Sequence, residues 1–187
     1  MGSTSQVRKL TYEDYAEFPE DGLRHEILDG EHYMTPSPRP QHQLASMNLS
    51  AALWNYCRHT GAGAVYSAPI DVLLSEHDIV VPDLIFVAAG RVGVVGEVNV
   101  QGTPDLVVEI LSPSTRKRDE GLKRRRYEAL GVAEYWLVDP VKERVRVYRR
   151  EGGGFGGSKD IGPKDRLESP QLPGFALAVK DIFAAFG

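Results

Sequence analysis

Hydrophobic and polar positions along the chain follow patterns that predict a sheet of largely buried strands. Apolar runs of strand length span residues 65–74, 79–87 and 104–111, and turn-forming residues bound each run. Short apolar runs of this kind are typical of strands that are covered on both faces. Two further strand-like segments, residues 134–138 and 144–149, follow later in the chain.

Two longer segments have helical periodicity. In residues 41–59 the apolar side chains recur at helical spacing and share one face: Leu44, Met47, Ala51 and Trp54. Gly61 stands where a left-handed helix C-cap belongs. The second helix is expected to begin at Ser114 or Thr115 and to run to about Leu130, before a glycine.

Turn-forming residues divide the rest of the chain. Residues 23–33 predict a β-hairpin with Asp29-Gly30 as its two-residue turn. Three prolines make residues 35–40 a loop, because proline cannot donate a backbone hydrogen bond. A short helix is expected to open at Thr11, and a terminal structured segment spans residues 173–186.

The order of these elements predicts the fold class. A helix, a hairpin, a helix, several strands, a helix and two strands give an α/β or α+β domain around a mixed sheet. Helix crossovers are too few for a Rossmann fold, and no G-x-G-x-x-G, P-loop or Cys/His zinc spacing occurs. The length suits one domain, 1–187, with a core at about 11–183 and a flexible N-terminus at 1–10.

Composition narrows the cellular setting. The chain is 42% hydrophobic and 26% charged, which is ordinary for a globular protein. It has one cysteine, Cys57, so it has no internal disulfide framework and fits a reducing cytoplasm. No apolar stretch approaches the roughly 20 residues that span a bilayer, and the first residues lack signal-peptide order. A cytoplasmic protein without a membrane segment is expected.

The charge distribution is uneven. A net charge of −4 argues against a general cationic coat for nucleic acid. Residues 116–126 nevertheless contain seven basic residues against two acidic ones, and further basic residues follow at 142–150. Two interpretations remain open: solvated protein faces, or a local basic stripe that suits a phosphate backbone.

Two carboxylates lie inside the apolar runs and are the main candidates for chemistry. Asp83 follows Pro82 in one run, and Glu109 lies in the next. A buried ionised carboxylate is costly unless it is paired or binds a metal. If the two strands are neighbours, both carboxylates can face one side and bind Mg²⁺, which keeps several of its waters.

The helix that follows Glu109 carries a second set of candidates. Asp119, Lys123 and Tyr127 recur at a spacing of four residues, so they share one helical face. One interpretation is a solvent-facing Asp119–Lys123 ion pair. The other is an ammonium group that the helix delivers to the metal site.

Several motifs, in one order, resemble the Uma2 family. They are Arg24-His25-Glu26-Ile27-Leu28-Asp29-Gly30, Pro36-Ser37-Pro38 with His42, Val81-Pro82-Asp83-Leu84, Val108-Glu109-Ile110-Leu111-Ser112-Pro113-Ser114-Thr115, Asp119 with Lys123 and Tyr127, and Gly131-Val132-Ala133-Glu134-Tyr135-Trp136-Leu137-Val138-Asp139-Pro140. The resemblance runs from about Thr11 to Phe183. It implies a restriction-endonuclease-like fold, a central mixed β-sheet flanked by helices, with Mg²⁺-dependent phosphodiester hydrolysis of the PD-(D/E)xK type.

The resemblance also implies roles for particular residues. Pro82-Asp83 matches the PD element and Glu109 the following acidic position, but Leu111 stands where the motif has lysine. Superfamily members without that lysine can supply one from the next helix, and Lys123 is the candidate here. Glu26 matches a further acidic position that helps to bind metal. The residues left as possible substrate or supporting groups are His42, Asp119, Tyr127 and Arg116.

The expected function is therefore that of a DNA endonuclease with catalytic residues Asp83, Glu109 and Lys123. Its metal ligands would be Asp83, Glu109 and Glu26, with Mn²⁺ able to replace Mg²⁺. A homodimer is expected because cutting two strands needs two active sites. Two alternatives remain: a catalytically silent nuclease-fold protein that binds nucleic acid or protein, and a hydrolase of a small phosphate ester.

Overall fold

The structure, a computed structural model, describes residues 8–185. The predictions for residues 1–7 and for Phe186 lie outside this part of the chain. The helices are α1 (Tyr12–Ala16), α2 (Pro40–Thr60), α3 (Arg116–Arg118), α4 (Arg124–Ala129) and α5 (Val179–Phe183), with a 3₁₀ segment at Ala89–Val94 and a π-helical segment at Asp119–Lys123. The strands are β1 (Arg24–Leu28), β2 (Glu31–Thr35), β3 (Gly63–Ser67), β4 (Val72–Ser75), β5 (Asp78–Val80), β6 (Leu84–Ala88), β7 (Val100–Gln101), β8 (Leu106–Ile110), β9 (Glu134–Asp139), β10 (Arg144–Glu151), β11 (Gly154–Phe155), β12 (Lys159–Ile161), β13 (Arg166–Ser169) and β14 (Leu172–Ala178).

The largest sheet is mixed, as the sequence predicts. Its strands lie in the order β11-β10-β9-β8-β6-β3, and β12 also pairs with β10. β8 and β9 are parallel, whereas β6 runs antiparallel to both β8 and β3. The parallel pair needs a crossover connection, and the helical region at residues 116–129 provides it.

Side chains alternate between two apolar clusters on opposite faces of this sheet. Leu84 and Phe86 of β6 pack in the cluster that contains the buried residues of α2 and α5. Ile85 of β6 and Val107 of β8 pack in the other cluster, which contains Tyr127 of α4 and residues of β4, β7 and β9. Both faces of the sheet are therefore covered, which explains the continuous apolar runs in the sequence.

A smaller sheet, in the order β2-β1-β5-β4-β7, lies next to the large one. The predicted hairpin forms its edge, with β1 and β2 paired antiparallel. Asp29 (φ 54°) and Gly30 (φ 82°) both adopt the left-handed conformation that a two-residue hairpin turn requires. A side chain at Gly30 would also collide with Lys9, whose Cβ would lie 2.4 Å from an added Cβ.

Two of the predicted strands are in fact two strands each. Residues 79–87 divide into β5 and β6, which belong to different sheets, and residues 65–74 divide into β3 and β4. A proline lies in each gap, at Pro82 and Pro69, where the missing N–H cannot extend a ladder. As a consequence, Asp83 lies at the junction between the two sheets and not in the middle of a strand.

The length of α2 agrees with the prediction, but its apolar stripe is not the buried face. Gly61 ends the helix in the left-handed conformation, with φ 67°. Met47 and Trp54 are 63% and 55% exposed. The face that packs on the sheet is offset from that stripe and consists of Ala45, Leu49, Leu53 and Cys57.

The helix predicted after residue 114 is present, but a π-helical segment interrupts it. Regular α-helix occurs at Arg116–Arg118 and Arg124–Ala129, on either side of Asp119–Lys123. A π-helical turn holds one more residue than an α-helical turn and often occurs at functional sites. Here the two residues that bound it, Asp119 and Lys123, are both buried.

Candidate active site

A cavity of about 420 Å³ opens where the hairpin, the start of α2 and the loop after β8 meet. We call it the carboxylate cavity, because four acidic side chains line it: Glu26, Asp83, Glu109 and Asp119. Lys123 and Arg24 line the same cavity. The structure therefore brings together all of the sequence-predicted catalytic and metal-binding residues.

Asp83 and Glu109 come from neighbouring strands. β6 and β8 pair antiparallel with Leu84 opposite Val108, so one further step in this register places Asp83 opposite Glu109. The Ile110 N–H donates a hydrogen bond to Asp83 Oδ2 over 2.8 Å, which ties the first carboxylate to the strand of the second. The predicted neighbour relationship of the two segments is confirmed.

Asp83 is held by three donors. Besides the Ile110 N–H, His42 Nε2 lies 3.1 Å from Oδ2 and Arg24 Nη1 donates to Oδ1 over 2.7 Å. Burial alone would raise the pKa of Asp83, but the hydrogen bonds and charges of His42 and Arg24 hold it below its ordinary value. Asp83 is therefore an ionised carboxylate at neutral pH.

Glu109 has a different environment. It is 3% exposed, and its Oε1 accepts hydrogen bonds from Lys123 Nζ (2.8 Å) and from Tyr127 Oη (2.7 Å). Burial raises the pKa of Glu109 to about 8. The charge of Lys123 opposes this rise, and the nearby carboxylates of Asp119, Asp83 and Glu26 add to it.

Lys123 lies between two acidic residues. Its Nζ is 2.7 Å from Glu26 Oε1 and 2.8 Å from Glu109 Oε1, and the side chain is 4% exposed. Although burial alone would lower the pKa of Lys123, Glu109, Glu26 and Asp119 raise it above its ordinary value. The group is therefore a buried ammonium ion, and the solvent-facing Asp119–Lys123 pair is not what the structure contains.

Glu26 supports this arrangement from the hairpin. Its Oε1 also accepts a hydrogen bond from the Val81 N–H over 2.9 Å, and its Oε2 lies 3.6 Å from Arg118 Nη2. The Val81 contact joins Glu26 to the segment that connects β5 to Asp83. This hydrogen bond therefore fixes the position of Glu26 relative to the junction between the two sheets.

Asp119 contributes a buried acidic oxygen to the cavity. Its Oδ1 is buried without a hydrogen bond among the described residues and lies 4.0 Å from Lys123 Nζ. Burial raises the pKa of Asp119 to about 6, against the lowering effect of Lys123. A buried acceptor without a donor is costly, so the site has capacity for a further positive group.

The ion-paired charges of the cavity are not balanced. Arg24 offsets Asp83, while three carboxylates, those of Glu26, Glu109 and Asp119, face two cations, Lys123 and Arg118. The remaining cation of the lining, Arg39, is exposed and pairs with no carboxylate among the described residues. The ion-paired groups therefore carry one negative charge in excess, which either a proton or a bound cation can compensate. The donors are hard carboxylate oxygens, which suit Mg²⁺.

A metal ion fits these residues as a two-carboxylate site. Within residues 8–185, no three His, Cys, Asp or Glu side chains converge on a point that could hold a metal ion. Mg²⁺ commonly binds through one or two carboxylates and keeps several of its waters, so Asp83 and Glu109 are sufficient.

The remaining predicted residues lie around this centre in different ways. His42 lines the cavity, and its Nδ1 is buried without a partner in the described part of the chain. Tyr127 lies behind Glu109 and is fully buried. Arg116 is not among the cavity residues, because its guanidinium pairs with both oxygens of Asp139 at 2.9 and 3.0 Å.

The basic residues at 116–126 do not form a free stripe. Most of them make internal ion pairs or hydrogen bonds: Arg116 with Asp139, Arg118 with Thr35, Lys123 with Glu26 and Glu109, Arg124 with Glu128, and Arg126 with Asp78. Lys117 and Arg125 are exposed. The second group is similarly engaged, since Arg144 and Arg146 both pair with Asp160. Most of this positive charge therefore stabilises the fold.

Arg24 is a site residue that was not predicted from the sequence. Arg24 precedes Glu26 by two positions on β1, so the two-residue repeat of a strand directs both side chains to the same face. That spacing was the signal that could have identified it. Arg118 was missed for a different reason, since its approach to Glu26 depends on how the helix packs against the hairpin.

Comparisons with known proteins agree with this fold. The family model described as "Uma2: Putative restriction endonuclease" matches residues 12–180. A relative named "Uncharacterized protein slr1290", from Synechocystis sp. (strain ATCC 27184 / PCC 6803 / Kazusa), is 28% identical over 182 residues, covering 94% of this chain and 92% of the relative.

A solved structure shows the same architecture. The crystal structure of "a putative nuclease belonging to DUF820" from Anabaena variabilis ATCC 29413 has a TM-score of 0.79 and 19% sequence identity, covering 93% of this chain and 97% of that one. The predicted nuclease-like fold is thereby confirmed. None of the helices at residues 8–185 has the length and apolar character required to cross a membrane.

Proposed function

Since this chain belongs to the Uma2 family, we propose that it is a Mg²⁺-dependent endonuclease that hydrolyses phosphodiester bonds in DNA. One observation carries the proposal: Asp83 and Glu109 face each other across neighbouring strands, with the buried ammonium of Lys123 2.8 Å from Glu109. This arrangement corresponds to the PD-(D/E)xK pattern with its lysine supplied by the helix region.

Asp83 and Glu109 would hold Mg²⁺ between the two strands. When bound, Mg²⁺ polarises a phosphodiester and lowers the pKa of a water that it carries. Glu26 uses Oε1 to hold Lys123 and the Val81 N–H, so Oε2 is the oxygen that it can offer to a metal. The main contribution of Glu26 is therefore to position the ammonium group.

Lys123 would act as a fixed positive charge. Since its pKa is raised by the surrounding carboxylates, it stays protonated and is not the proton acceptor. It orients the attacking water through hydrogen bonds and offsets negative charge that develops on the phosphate. Groups that are fixed in place before the reaction are the most effective in this role.

The test is cleavage of plasmid DNA with Mg²⁺, compared with the same reaction in EDTA. The wild type should nick or linearise the plasmid only when Mg²⁺ is present. Glu109→Gln should leave the plasmid intact with or without Mg²⁺. Glu97→Gln, which changes an exposed glutamate in a loop, is the matched control and should keep full activity. A parallel reaction with a small phosphodiester distinguishes a nuclease from a hydrolase of small esters.

A catalytically silent binding protein would give a different result. It would bind DNA without Mg²⁺-dependent cleavage, and Glu109→Gln would not change its binding.

A DNA duplex has two strands to cut, so we also propose that the active form is a homodimer with one cavity in each copy. Sedimentation of the active protein tests the dimer independently of cleavage.

A further inference from the structure

Arg24 has an unusual position among the arginines of the carboxylate cavity. Its guanidinium donates one hydrogen bond, over 2.7 Å to Asp83 Oδ1, and has no other hydrogen-bonded or ion-paired side-chain partner among the described residues. Its side chain is 25% exposed. Arg118, in contrast, bonds to Thr35, approaches Glu26 and stacks on the ring of Tyr33.

The oxygen that Arg24 occupies is the one that a cation needs. Oδ2 of Asp83 already accepts from the Ile110 N–H and lies against His42, so both of its acceptor positions are engaged. Oδ1 accepts only from Arg24. A metal ion at Asp83 would therefore have to bind at Oδ1, in the immediate neighbourhood of the guanidinium.

We propose that Arg24 is a displaceable counter-ion of Asp83 that moves to the phosphate of the substrate when a divalent cation binds. The inference rests on the proposed function. In the free protein the guanidinium offsets the charge of a buried carboxylate, which otherwise would carry a desolvation cost. Once a cation takes over that charge, the two positive groups repel each other and Arg24 turns toward the cavity.

A substrate phosphate would enter the cavity from its solvent-exposed side. Arg24 lies at the start of β1, with the side chain at the cavity wall and a quarter of its surface in contact with solvent. A planar guanidinium fits a phosphate group through two parallel hydrogen bonds, which lysine cannot reproduce. Arg24 is thus a contact to the reacting phosphate, in addition to Lys123.

The test measures metal affinity without DNA and turnover with DNA. Isothermal calorimetry with MnCl₂ as the probe compares the wild type with Arg24→Gln and Arg24→Lys. Arg24→Gln should bind Mn²⁺ roughly tenfold more tightly, because one competing ion pair is removed. At saturating Mn²⁺ its kcat on plasmid should fall by about 10²–10³, the scale for losing one preorganised donor.

Arg39→Gln is the matched control. Arg39 lines the same cavity, is exposed, and pairs with no carboxylate among the residues described. Arg39→Gln removes the same charge as Arg24→Gln without freeing an oxygen of Asp83. If the effect of the charge were purely long-range, both substitutions would change the Mn²⁺ affinity equally. Arg24→Lys should show an intermediate affinity and a kcat close to that of Arg24→Gln, because a lysine keeps the charge but not the bidentate geometry.

Several outcomes would overturn the inference. Equal Mn²⁺ affinity in the wild type and Arg24→Gln would show that Arg24 does not compete with the metal. A tighter Arg24→Gln with an unchanged kcat would show that Arg24 does not meet the phosphate. If wild type and variants all failed to bind Mn²⁺, the proposed metal dependence itself would be wrong, whereas the first two outcomes leave it intact.

Discussion

Lys123 Nζ lies 2.8 Å from Glu109 Oε1, although the two residues belong to a helix region and a strand fourteen positions apart. The position that the nuclease motif assigns to lysine, two residues after Glu109, holds Leu111, which packs in an apolar cluster. The positive charge therefore reaches the acidic residue from another element. Lys123 ends the π-helical segment at Asp119–Lys123, and both end residues of that segment are buried.

The first prediction concerns Lys123. Lys123→Ala should lower the rate of Mg²⁺-dependent cleavage by roughly 10²–10³, the usual scale for losing one preorganised donor that stabilises developing negative charge. It should also lower the free energy of unfolding by about 3–5 kcal/mol, since Glu26 and Glu109 lose a buried cation. Cleavage kinetics and urea denaturation measure the two effects. Lys117→Ala changes an exposed lysine of the same region and should alter neither.

The second prediction restores the charge from the strand. Leu111 is 6% exposed, and Glu109 precedes it by two residues, so their side chains point to the same face. In the Lys123→Ala background, Leu111→Lys should recover part of the lost cleavage rate. Single-turnover kinetics at saturating Mg²⁺ would measure this. A folded double variant that binds Mn²⁺ but recovers no rate would indicate that the geometry of Lys123 matters beyond its charge.

The third prediction separates the two carboxylates by stability. In EDTA, Glu109→Gln should leave the free energy of unfolding unchanged or raise it, because it removes one of the three carboxylates that crowd around Lys123. Asp83→Asn should lower it by about 1–3 kcal/mol, since Arg24 and His42 lose a charged acceptor. Both variants should lack Mg²⁺-dependent cleavage. If Glu109→Gln lowered the free energy of unfolding more than Asp83→Asn, the charge balance derived for the cavity would be wrong.

The fourth prediction concerns acid stability away from the cavity. Burial would raise the pKa of Asp78, but hydrogen bonds from Arg126, Ser75 and the Asp29 N–H, together with the charge of Arg126, hold it below its ordinary value. Since the folded-state pKa is the lower one, this stabilisation is present above the unfolded pKa of about 3.9 and is lost as pH falls through the folded value. Asp78→Asn should make the free energy of unfolding depend less on pH in this acidic range.

Asp160 provides the comparison for Asp78. Its pKa is also lowered, chiefly by the hydrogen bond from Arg146, but its side chain is 38% exposed. Solvent and salt weaken ion pairs at such positions. Asp160→Asn should therefore change the loss of stability at acidic pH less than Asp78→Asn does. An equal effect would show that the burial of Asp78 does not strengthen its ion pair.

The sequence predicted those features that depend on local patterns. The hairpin turn at Asp29-Gly30 and the C-cap at Gly61 follow from the conformations that these residues permit, and both are confirmed. The expectation that both carboxylates can face one side agrees with the strand alternation, since Ile85 and Val107, each two residues from one of the carboxylates, share one apolar cluster. This alternation directs Asp83 and Glu109 to the same side of the sheet.

Features that depend on packing were not predictable in the same way. A proline marked the break at Pro82, but only the pairing of β5 with β1 shows that the chain changes sheets there. Likewise, the helical stripe with Met47 and Trp54 was visible, but the sheet packs on a neighbouring face. The two-residue spacing places Arg24 on the same strand face as Glu26, but its partner Asp83 lies 59 residues away, so no local pattern encodes the ion pair.

Anomalous scattering from crystals soaked in MnCl₂ tests directly whether Asp83 and Glu109 hold a metal ion. One Mn²⁺ peak is expected between Asp83 and Glu109, with Asp83 Oδ1 as a ligand and Lys123 still beside Glu26. Crystals of Glu109→Gln, soaked identically, should lose the peak. A wild-type structure without a peak between these carboxylates, at a Mn²⁺ concentration that supports cleavage in solution, would show that Asp83 and Glu109 do not form the metal site.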